Sequence, residues 1–360
     1  MVEPFYGGSH RAFLDELVRH VSHELVLLTL PGGEWRKRMR LGAQQLARAA
    51  RDLEGDFEFL LVTDMLDLPA FLALTRPRFD HLPVLAYFHE NQFTYPRIRG
   101  TKLNSWFGQI NYLTALAADR VAFNSAFHRD AFIGALETLA RQPNNWLDPA
   151  AIDGIRAKSS VLPVGVDLTW LDAMRPRRPA SAPPLLLWNH RWEFDKGPEL
   201  FVRTLERLAS DGVAFGVAVA GEPGDNPVPA LLELPQRLGE RVEHFGYCHD
   251  RAAYGQLLWD ATIAVSTSRH EFFGVGMVEA MYCRCVPIAP NRLNYPALVP
   301  RELHDVCLYE GDAGLYRALR AAIEDARPDT TIVREAAAAY RWDIVAPMWE
   351  RAISELAMRA

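Results

Sequence analysis

The fold is decided by one stretch, Ser268-Arg269-His270-Glu271-Phe272-Phe273-Gly274-Val275-Gly276-Met277-Val278-Glu279-Ala280. It follows a strand-like run at 261–267 and precedes a helix-like run that continues through residue 282. Glycine lets the backbone approach a ligand closely, and a helix that begins there directs free N–H groups and its positive dipole end above the strand. The stretch therefore predicts an anion site, most naturally for a phosphate or diphosphate.

Two carboxylates, Glu271 and Glu279, bracket this stretch with seven residues between them. We expect Glu279 to lie about one turn into the helix, where it can hold sugar hydroxyls, and Glu271 to lie in the loop nearer the reacting end. A helix N-terminus with ordinary acidic residues is the alternative, and an isolated pair at this spacing favours it. The glycine loop directly after a strand favours the binding site.

Composition limits the class of protein. With 360 residues, 49% hydrophobic and 23% charged, the chain is long enough for two α/β domains. Its net charge of −6 and pI near 6.0 argue against a general binder of polyanions. Residues 1–180 nevertheless carry 21 Lys and Arg against 20 Asp and Glu, whereas residues 181–360 carry 18 against 25. The first half is therefore the better place for a polyanionic partner.

Four cysteines occur without a Cys-x-x-Cys pair, which favours buried free thiols in a reducing compartment. No apolar run reaches the length of a membrane span, and the first residues lack a signal-peptide pattern. We therefore expect a cytoplasmic enzyme without stable membrane association.

In the first half, polar residues follow several predicted strands. Gly7 and Gly8 form the turn after a very short first strand, and His10 follows them. The cluster His89-Glu90-Asn91-Gln92, with Tyr95 close behind, ends another strand, and Asn124 ends a third. Open α/β sheets bind ligands at the carboxyl ends of their strands, so this density of polar groups favours function over core packing.

A basic segment, Trp35-Arg36-Lys37-Arg38-Met39-Arg40, opens the helical run at 34–53. Four cations and an aromatic ring suggest phosphate contacts with a stacking surface. The same pattern is compatible with an amphipathic helix on a membrane surface, or with an ordinary solvated helix face. Arg97, Arg99 and Lys102 add positive charge in a predicted loop.

A proline-rich segment at 176–184 predicts a linker, after which the strand–helix pattern restarts. Arg191 and Lys196 follow the first strand of the second half, beside a helix that begins at Pro198, and this suits a diphosphate. We expect Asp195 to cap that helix. The predicted domains are 1–170, a linker at 171–184, and 185–341, with a C-terminal helix at 342–360 that packs on the first domain.

Together, the Gly-Gly turn, the histidine cluster, Arg-x4-Lys and Glu-x7-Glu resemble the family-4 retaining glycosyltransferases. Five segments sharpen the resemblance to the branch that mannosylates queuosine in tRNA: 4–10, 87–92, 123–125, 190–196 and 270–275. The resemblance implies the α/β GT-B fold, with two Rossmann-like domains whose parallel sheets face each other across a cleft. It also implies GDP-mannose as the donor and queuosine-bearing tRNA as the acceptor.

The resemblance assigns roles by motif. His89 and Glu271 contact the transferred sugar, Arg191 and Lys196 neutralise the diphosphate, and Glu279 holds the ribose. The remaining donor contacts are expected at Gly7, Gly8, Phe272, Phe273, Gly274 and Val275. The acceptor contacts are expected at His10, Trp35, Arg36, Arg38, Arg40, Glu90, Asn91, Gln92, Tyr95 and Asn124. No Asp-x-Asp motif occurs in the sequence, so we expect no obligatory metal and no other cofactor.

Three functions remain open at this point. The leading hypothesis is a tRNA-queuosine mannosyltransferase. The second is a family-4 transferase for a lipid or polysaccharide acceptor that uses the helix at 34–53 on a membrane. The third is a non-catalytic protein that binds a nucleotide sugar or RNA, which the intact set Arg191, Lys196, Glu271 and Glu279 disfavours.

Overall fold

The computed structural model describes residues 1–95, 105–143, 145, 147–224, 228–325 and 328–358, apart from the side chain of residue 105. The chain forms two compact units. The first contains Met1–Gly165 and Trp342–Ala360, and the second contains Val166–Arg341. The first unit thus ends five residues before the predicted domain end at 170, and the proline-rich segment belongs to the second unit.

The first unit is built on a six-stranded parallel sheet with the order β2-β1-β3-β4-β5-β6. Its strands are β1 (Val2–Tyr6), β2 (Leu28–Pro31), β3 (Leu60–Thr63), β4 (Val84–Phe88), β5 (Arg120–Phe123) and β6 (Ser159–Val161). Its helices are α1 (Gly8–His20), α2 (Trp35–Ala49), α3 (Leu68–Leu74), α4 (Ser105–Ala117), α5 (Ala126–Ala140) and α6 (Pro149–Ala157).

The second unit repeats the architecture with the strand order β12-β11-β10-β7-β8-β9, again all parallel. Its strands are β7 (Leu185–Asn189), β8 (Gly216–Ala220), β9 (Val242–Gly246), β10 (Ile263–Val265), β11 (Val286–Pro290) and β12 (Leu308–Tyr309). Its helices are α7 (Pro198–Ser210), α8 (Pro229–Leu232), α9 (Leu234–Leu238), α10 (Arg251–Asp260), α11 (Val275–Tyr282), α12 (Tyr295–Leu298), α13 (His304–Cys307), α14 (Gly311–Glu324) and α15 (Thr330–Ala338).

The central strands are apolar on both faces because helices cover both faces of each sheet. Strands β3, β4, β8 and β11 are buried along their whole length. The helices between them start at local signals in the sequence. Asp67 accepts a hydrogen bond from the backbone of Ala70 to open α3, and Ser125 does the same with His128 to open α5.

Strand order fixes where each unit can bind a ligand. In the second unit the chain reverses its direction of winding between β7 and β10, as in the Rossmann order. In the first unit the reversal falls between β1 and β3. Ligands of open α/β sheets bind beyond the carboxyl ends of the strands at such a reversal. The segments that follow β1, β3, β7 and β10 therefore lie where a ligand is expected.

The C-terminal helix α16 (Trp342–Ala357) packs within the first unit. Its Trp349 is fully buried, contacts the rings of Phe13 and Tyr87, and donates a hydrogen bond to the carbonyl of Pro163 at 3.2 Å. The chain therefore returns to the first unit after completing the second.

None of the helices in the described residues combines the length and apolar character that a membrane crossing requires.

Candidate active site

In the second unit, the stretch from Ser268 to Ala280 forms the predicted loop and helix N-terminus. Gly274 precedes α11 with φ of +101°, a conformation that favours glycine. A Cβ atom at Gly276 would lie 2.9 Å from the side chain of Asn189, so the first turn of α11 packs closely against the end of β7. The free N–H groups of this turn therefore lie at the reversal between β7 and β10, where an anion is expected.

Lys196 is the buried cation of this site. Its ammonium lies 3.3 Å from carboxylate oxygens of both Asp195 and Glu271, and it donates a hydrogen bond to the carbonyl of His270 at 3.0 Å. Burial opposes the charged forms, but the carboxylates raise the pKa of Lys196, and Lys196 lowers the pKa of Glu271. The two carboxylates and one ammonium form a buried ion cluster, which we call the Lys196 cluster.

Asp195 does not cap α7, so that expectation was wrong. The N-cap of α7 is Gly197, with φ of +64° and no side-chain cap. Residues Phe194–Lys196 form a 3-10 turn that carries Asp195 into the interior, where 1% of it is exposed. Its carboxylate serves as a partner of Lys196 instead.

Two histidines next to this cluster are neutral. Burial, together with the charge of Lys196, lowers the pKa of both His190 and His270 to about 4. Neutral imidazole offers one donor and one acceptor nitrogen, so these rings can hydrogen-bond hydroxyls without adding charge.

Glu279 lies in α11 and is part of a hydrogen-bonded chain. Tyr254 donates to its carboxylate at 2.7 Å, and the amide of Asn189 donates to the Tyr254 hydroxyl at 3.2 Å. Burial raises the pKa of Glu279 to about 7. A carboxylate held in this way has an oxygen lone pair for a hydroxyl, and its contact with a ribose stays a prediction.

A cavity of about 300 Å³ opens beside this chain at the carboxyl ends of β7, β8 and β9. It is lined by Asn189, His190, Arg191, Ala220, Gly221, Glu222, Tyr247, Cys248 and Tyr254. Arg191 is exposed at its edge, with a guanidinium nitrogen 3.5 Å from Glu193. The volume suits a nucleoside-sized group with Arg191 beside it.

The two phenylalanines of the stretch are core residues. Phe272 and Phe273 are each 4% exposed. The N–H of Phe273 donates to Glu271 at 3.4 Å, which holds that carboxylate in the loop. The two aromatic side chains are therefore part of the core, and the donor contacts of this segment stay a prediction that concerns its backbone N–H groups.

In the first unit, the two glycines of the first turn have different roles. A Cβ atom at Gly7 would lie 2.9 Å from the Cα of Gly32, so Gly7 permits close packing of two turns. Gly8 has φ of +52° and open space where a Cβ would lie. Gly8 therefore leaves the N-terminus of α1 accessible, as a ligand contact requires.

The reversal between β1 and β3 holds a buried polar group. Glu3 in β1 pairs with His10 in α1 at 2.9 Å, and the His10 ring lies 4.2 Å from the ring of His89 after β4. Asp64 after β3 accepts a hydrogen bond from the backbone of His89 at 2.8 Å. Glu3 and Asp64 are 0% and 1% exposed. Neither carboxylate was among the residues predicted from sequence.

Donor atoms of Glu3, His10 and His89 lie within 4.8 Å of one another, a set compatible with a metal ion. Burial favours neutral His10, yet the charge of Glu3, with smaller effects of Asp64 and Glu90, raises the pKa of His10 to about 9. Burial raises the pKa of Asp64 itself to about 8, so the positive charge of His10 at neutral pH depends mainly on Glu3. A metal ion must displace that proton. The arrangement therefore favours an ion pair of Glu3 with protonated His10.

The remaining polar residues after β4 and β5 support the loop that carries His89. The side-chain Oδ1 of Asn91 accepts hydrogen bonds from the backbone N–H groups of Phe93 and Thr94, each at 3.1 Å, and the Gln92 amide donates to Glu90 at 2.9 Å. The Asn124 amide donates to the carbonyl of His89 at 2.9 Å. Their assignment to acceptor binding remains a prediction, as does that of Tyr95.

The basic segment begins α2. Its Arg36, Lys37, Arg38 and Arg40 are named here the α2 cation cluster. Arg36 lies over the ring of Trp35 at 4.7 Å and Arg40 over the ring of Phe107 at 5.3 Å, while the rings of Trp35 and Phe107 are 5.1 Å apart. The Trp35 ring is therefore half-buried among its own neighbours. Arg97, Arg99 and Lys102 lie outside the described residues.

Comparisons with known proteins cover both units. Residues 1–166 match the family described as "tRNA-queuosine alpha-mannosyltransferase N-terminal", and residues 172–338 match "Glycosyl transferases group 1". The tRNA-queuosine alpha-mannosyltransferase of Drosophila melanogaster is 33% identical over 310 residues, which is 84% of this chain and 81% of that protein. A GDP-mannose-dependent alpha-(1-6)-phosphatidylinositol dimannoside mannosyltransferase of Mycobacterium tuberculosis is 28% identical over 48% of this chain and 41% of its own length.

Solved structures show the same fold. Sucrose-phosphate synthase from Thermosynechococcus elongatus aligns with a TM-score of 0.71 and 16% identity over 92% of this chain and 81% of its own. Anabaena HepE in complex with UDP aligns with a TM-score of 0.69 and 16% identity over 98% of each chain. The predicted α/β GT-B fold is confirmed by these likenesses and by the two parallel sheets. By its identity to the fly enzyme across both units, the chain belongs to the tRNA-queuosine alpha-mannosyltransferase family of glycosyltransferases.

Proposed function

We propose that this protein transfers mannose from GDP-mannose to queuosine in tRNA, with retention at the sugar carbon. One observation carries the proposal: the likeness to the fly enzyme extends over 84% of the chain and includes the first unit, which matches a family specific to this activity. The match to the family "Glycosyl transferases group 1" covers residues 172–338, within the second unit. The acceptor assignment therefore depends on the first unit, and the donor chemistry on the second.

Donor binding uses the second unit. The nucleoside occupies the cavity beside Arg191, and Glu279 accepts hydrogen bonds from ribose hydroxyls. The diphosphate lies at the N-terminus of α11, where free N–H groups and the helix dipole stabilise negative charge. Guanine as the base is supported by the mycobacterial relative, which is named as GDP-mannose-dependent. Mannose is supported by the names of both relatives.

Catalysis in this proposal is electrostatic. Negative charge develops on the leaving diphosphate as the bond to the sugar breaks, and cations placed to meet that charge lower the barrier. Arg191 lies exposed at the edge of the cavity beside Glu193, while Lys196 is held by Asp195 and Glu271. When the sugar hydroxyls bind Glu271, that carboxylate turns from the ammonium toward the sugar, and Lys196 gains freedom to meet the phosphate. These groups supply the positive charge without a metal ion.

The tRNA approaches the first unit through the α2 cation cluster, which contacts phosphates. The modified base reaches His10 and His89 at the reversal between β1 and β3. Since residues 1–180 carry a net charge of only +1, the contact with RNA is local. Trp35 stabilises the cluster through Phe107 and Arg36 and leaves only part of its ring for a base.

The test is a sugar-transfer assay. Purified protein is incubated with queuosine-bearing tRNA and each of GDP-mannose, UDP-glucose and UDP-galactose, and the nucleosides are then analysed by mass spectrometry. We expect a single hexose on queuosine from GDP-mannose. Arg191→Ala should cut turnover by orders of magnitude. The matched control is Arg203→Ala, at an exposed pair of α7 with Asp312 of α14, and it should leave turnover unchanged. Transfer from another donor, or none onto tRNA, refutes the proposal.

A second candidate acceptor is a lipid, favoured by the mycobacterial relative, which is named for a phosphatidylinositol substrate. Co-sedimentation with anionic vesicles distinguishes the two. The lipid is favoured if the protein binds these vesicles strongly, if removal of the α2 cation cluster abolishes that binding, and if no sugar is transferred to tRNA.

A further inference from the structure

The first unit places a fully buried carboxylate in the middle of its first strand. Glu3 is 0% exposed, and both of its oxygens are used: one accepts from the N–H of Phe5 at 2.7 Å, and the other pairs with His10 at 2.9 Å. Removing two charges from water costs several kcal/mol per ion, and apolar side chains of similar volume are often as stable. Stability alone therefore does not account for this pair, and its position beside His89 suggests a role in the reaction.

The partners of His10 fix both its orientation and its charge. Its Nδ1 faces Glu3 from β1, Asp64 approaches from the end of β3, and His89 and Glu90 follow β4. Among the described residues no side chain bonds to its Nε2, and 11% of the side chain remains exposed. The free nitrogen is thus the one available to a bound molecule.

The neighbouring imidazole, that of His89, favours the neutral form. Burial, followed by the positive charges of His10 and His128, holds the pKa of His89 well below its usual value. A protonated imidazole only donates hydrogen bonds, whereas a neutral one also accepts them. A hydroxyl group both donates and accepts, so one imidazole of each kind, with ring centres 4.2 Å apart, matches a hydroxyl-bearing substrate.

We propose that Glu3 is a positioning residue for sugar transfer, which holds the His10 ring by its Nδ1 so that its Nε2 is directed to the hydroxyls of the acceptor base, next to the ring of His89. This inference rests on the proposed function, because the hydroxyls are those of queuosine. Glu3 does not touch the substrate. It acts through the charge and orientation of His10.

The test removes the charge of Glu3 and keeps its shape. In Glu3→Gln, burial of His10 persists while the main force that favours its cation is lost, so the pKa of His10 falls. At pH values above the pKa of His10, each unit by which that pKa falls lowers the protonated fraction of His10 tenfold. At pH 7.5 we expect kcat/KM for tRNA to fall by roughly tenfold or more and to recover as the pH is lowered toward 6. Glu3→Asp, which retains the charge, should keep the wild-type pH profile.

A matched control lies in the same unit. Glu350 pairs with His23 at the same 2.9 Å distance, away from the reversal between β1 and β3. Glu350→Gln should leave the pH profile of transfer unchanged. Binding of GDP should be unchanged in both variants, because its contacts belong to the second unit.

A direct measurement does not need activity. Nuclear magnetic resonance of ¹⁵N-labelled histidine follows His10 as the pH is raised, with His10→Gln used to assign the signal. We expect titration near pH 9 in the wild type and at a clearly lower pH in Glu3→Gln. The proposal is overturned if wild-type His10 titrates near 6.5, if Glu3→Gln lowers activity equally at every pH, or if added zinc binds to this group and raises the melting temperature. Failure of the wild type to modify tRNA rejects the proposed function instead, and the titration still tests the pair.

Discussion

Replacement of Lys196 by methionine tests the Lys196 cluster. The side chain of Lys196 is 10% exposed, and those of Asp195 and Glu271 are 1% and 21% exposed. Methionine keeps most of the volume and leaves two carboxylates without a cation. Breaking a buried pair by removing one partner costs about 3–5 kcal/mol, because the remaining charge stays desolvated. For a unit of this size, that corresponds to a fall in melting temperature of roughly 10 °C.

The stability lost in Lys196→Met should depend on pH. In the wild type, Lys196 lowers the pKa of Glu271 below the ordinary value of 4.5, so Glu271 contributes stability above that pH and loses it as the pH falls further. In Lys196→Met the main effect that lowers the pKa of Glu271 is lost, whereas burial, the largest effect, still raises it and only weaker contributions such as the N–H of Phe273 oppose burial. The pKa of Glu271 therefore rises, and the variant is least stable at high pH. The difference between the two proteins should therefore shrink as the pH is lowered from 7 toward 4.5.

Differential scanning calorimetry of the whole chain is the assay, because two units are able to unfold in separate transitions. Adding Glu271→Gln to Lys196→Met removes one unpaired charge and should recover about 1–3 kcal/mol. The exposed pair of Arg203 with Asp312 is the control, and Arg203→Met should cost under about 1 kcal/mol. Equal instability of the single and double variants, or a penalty independent of pH, would falsify the account of this cluster.

Three further predictions concern function. Burial raises the pKa of Glu279 to about 7, so donor affinity measured by calorimetry should improve as the pH rises through 7. Glu279→Gln should bind the donor weakly and equally at pH 6 and 8. A donor affinity of this variant that still changes with pH contradicts the prediction. Alanine at all four positions of the α2 cation cluster should weaken tRNA binding, while GDP affinity stays constant. The slope of log affinity against log salt concentration should flatten by somewhat under one unit per lost phosphate contact. An unchanged slope removes the cluster from the RNA interface. Turnover should persist after dialysis against a chelator, and its complete loss with recovery on adding Mg²⁺ would reject metal-free catalysis.

Sequence patterns predicted the architecture, which is confirmed, and the elements on which the candidate site residues of the second unit lie; the roles of those residues stay predictions. A glycine loop between a strand and a helix determines where N–H groups point, so Gly274 and Glu279 lie as expected. Arg191 and Lys196 follow the first strand of the second unit, as the strand-to-helix turn required. The prediction for Asp195 was wrong because a polar residue before a helix is usually a cap, and sequence does not reveal a 3-10 turn that buries it.

Tertiary contacts account for what was missed. Tyr254 lies in α10, 25 residues before Glu279, and no local pattern joins the two. Glu3 lies in a five-residue strand too short to reveal which face is buried. Asp64 follows a buried strand, which is a usable signal, but its contact with the backbone of His89 comes from strand pairing of β3 with β4. Side chains that act through another residue have no motif of their own.

The charges of the second unit constrain how a donor is recognised. Asp195, Lys196 and Glu271 together carry a net charge of −1, so the Lys196 cluster alone does not attract a diphosphate. In the proposed function, attraction comes from Arg191 and from the N-terminus of α11, which lie outside that cluster. Within the proposed function, Lys196 meets the phosphate only after sugar hydroxyls have engaged Glu271. Recognition of the sugar and stabilisation of the leaving group are thereby coupled through the Lys196 ammonium. The complete nucleotide sugar therefore brings Lys196 to the phosphate, whereas the nucleotide alone does not release it from Glu271.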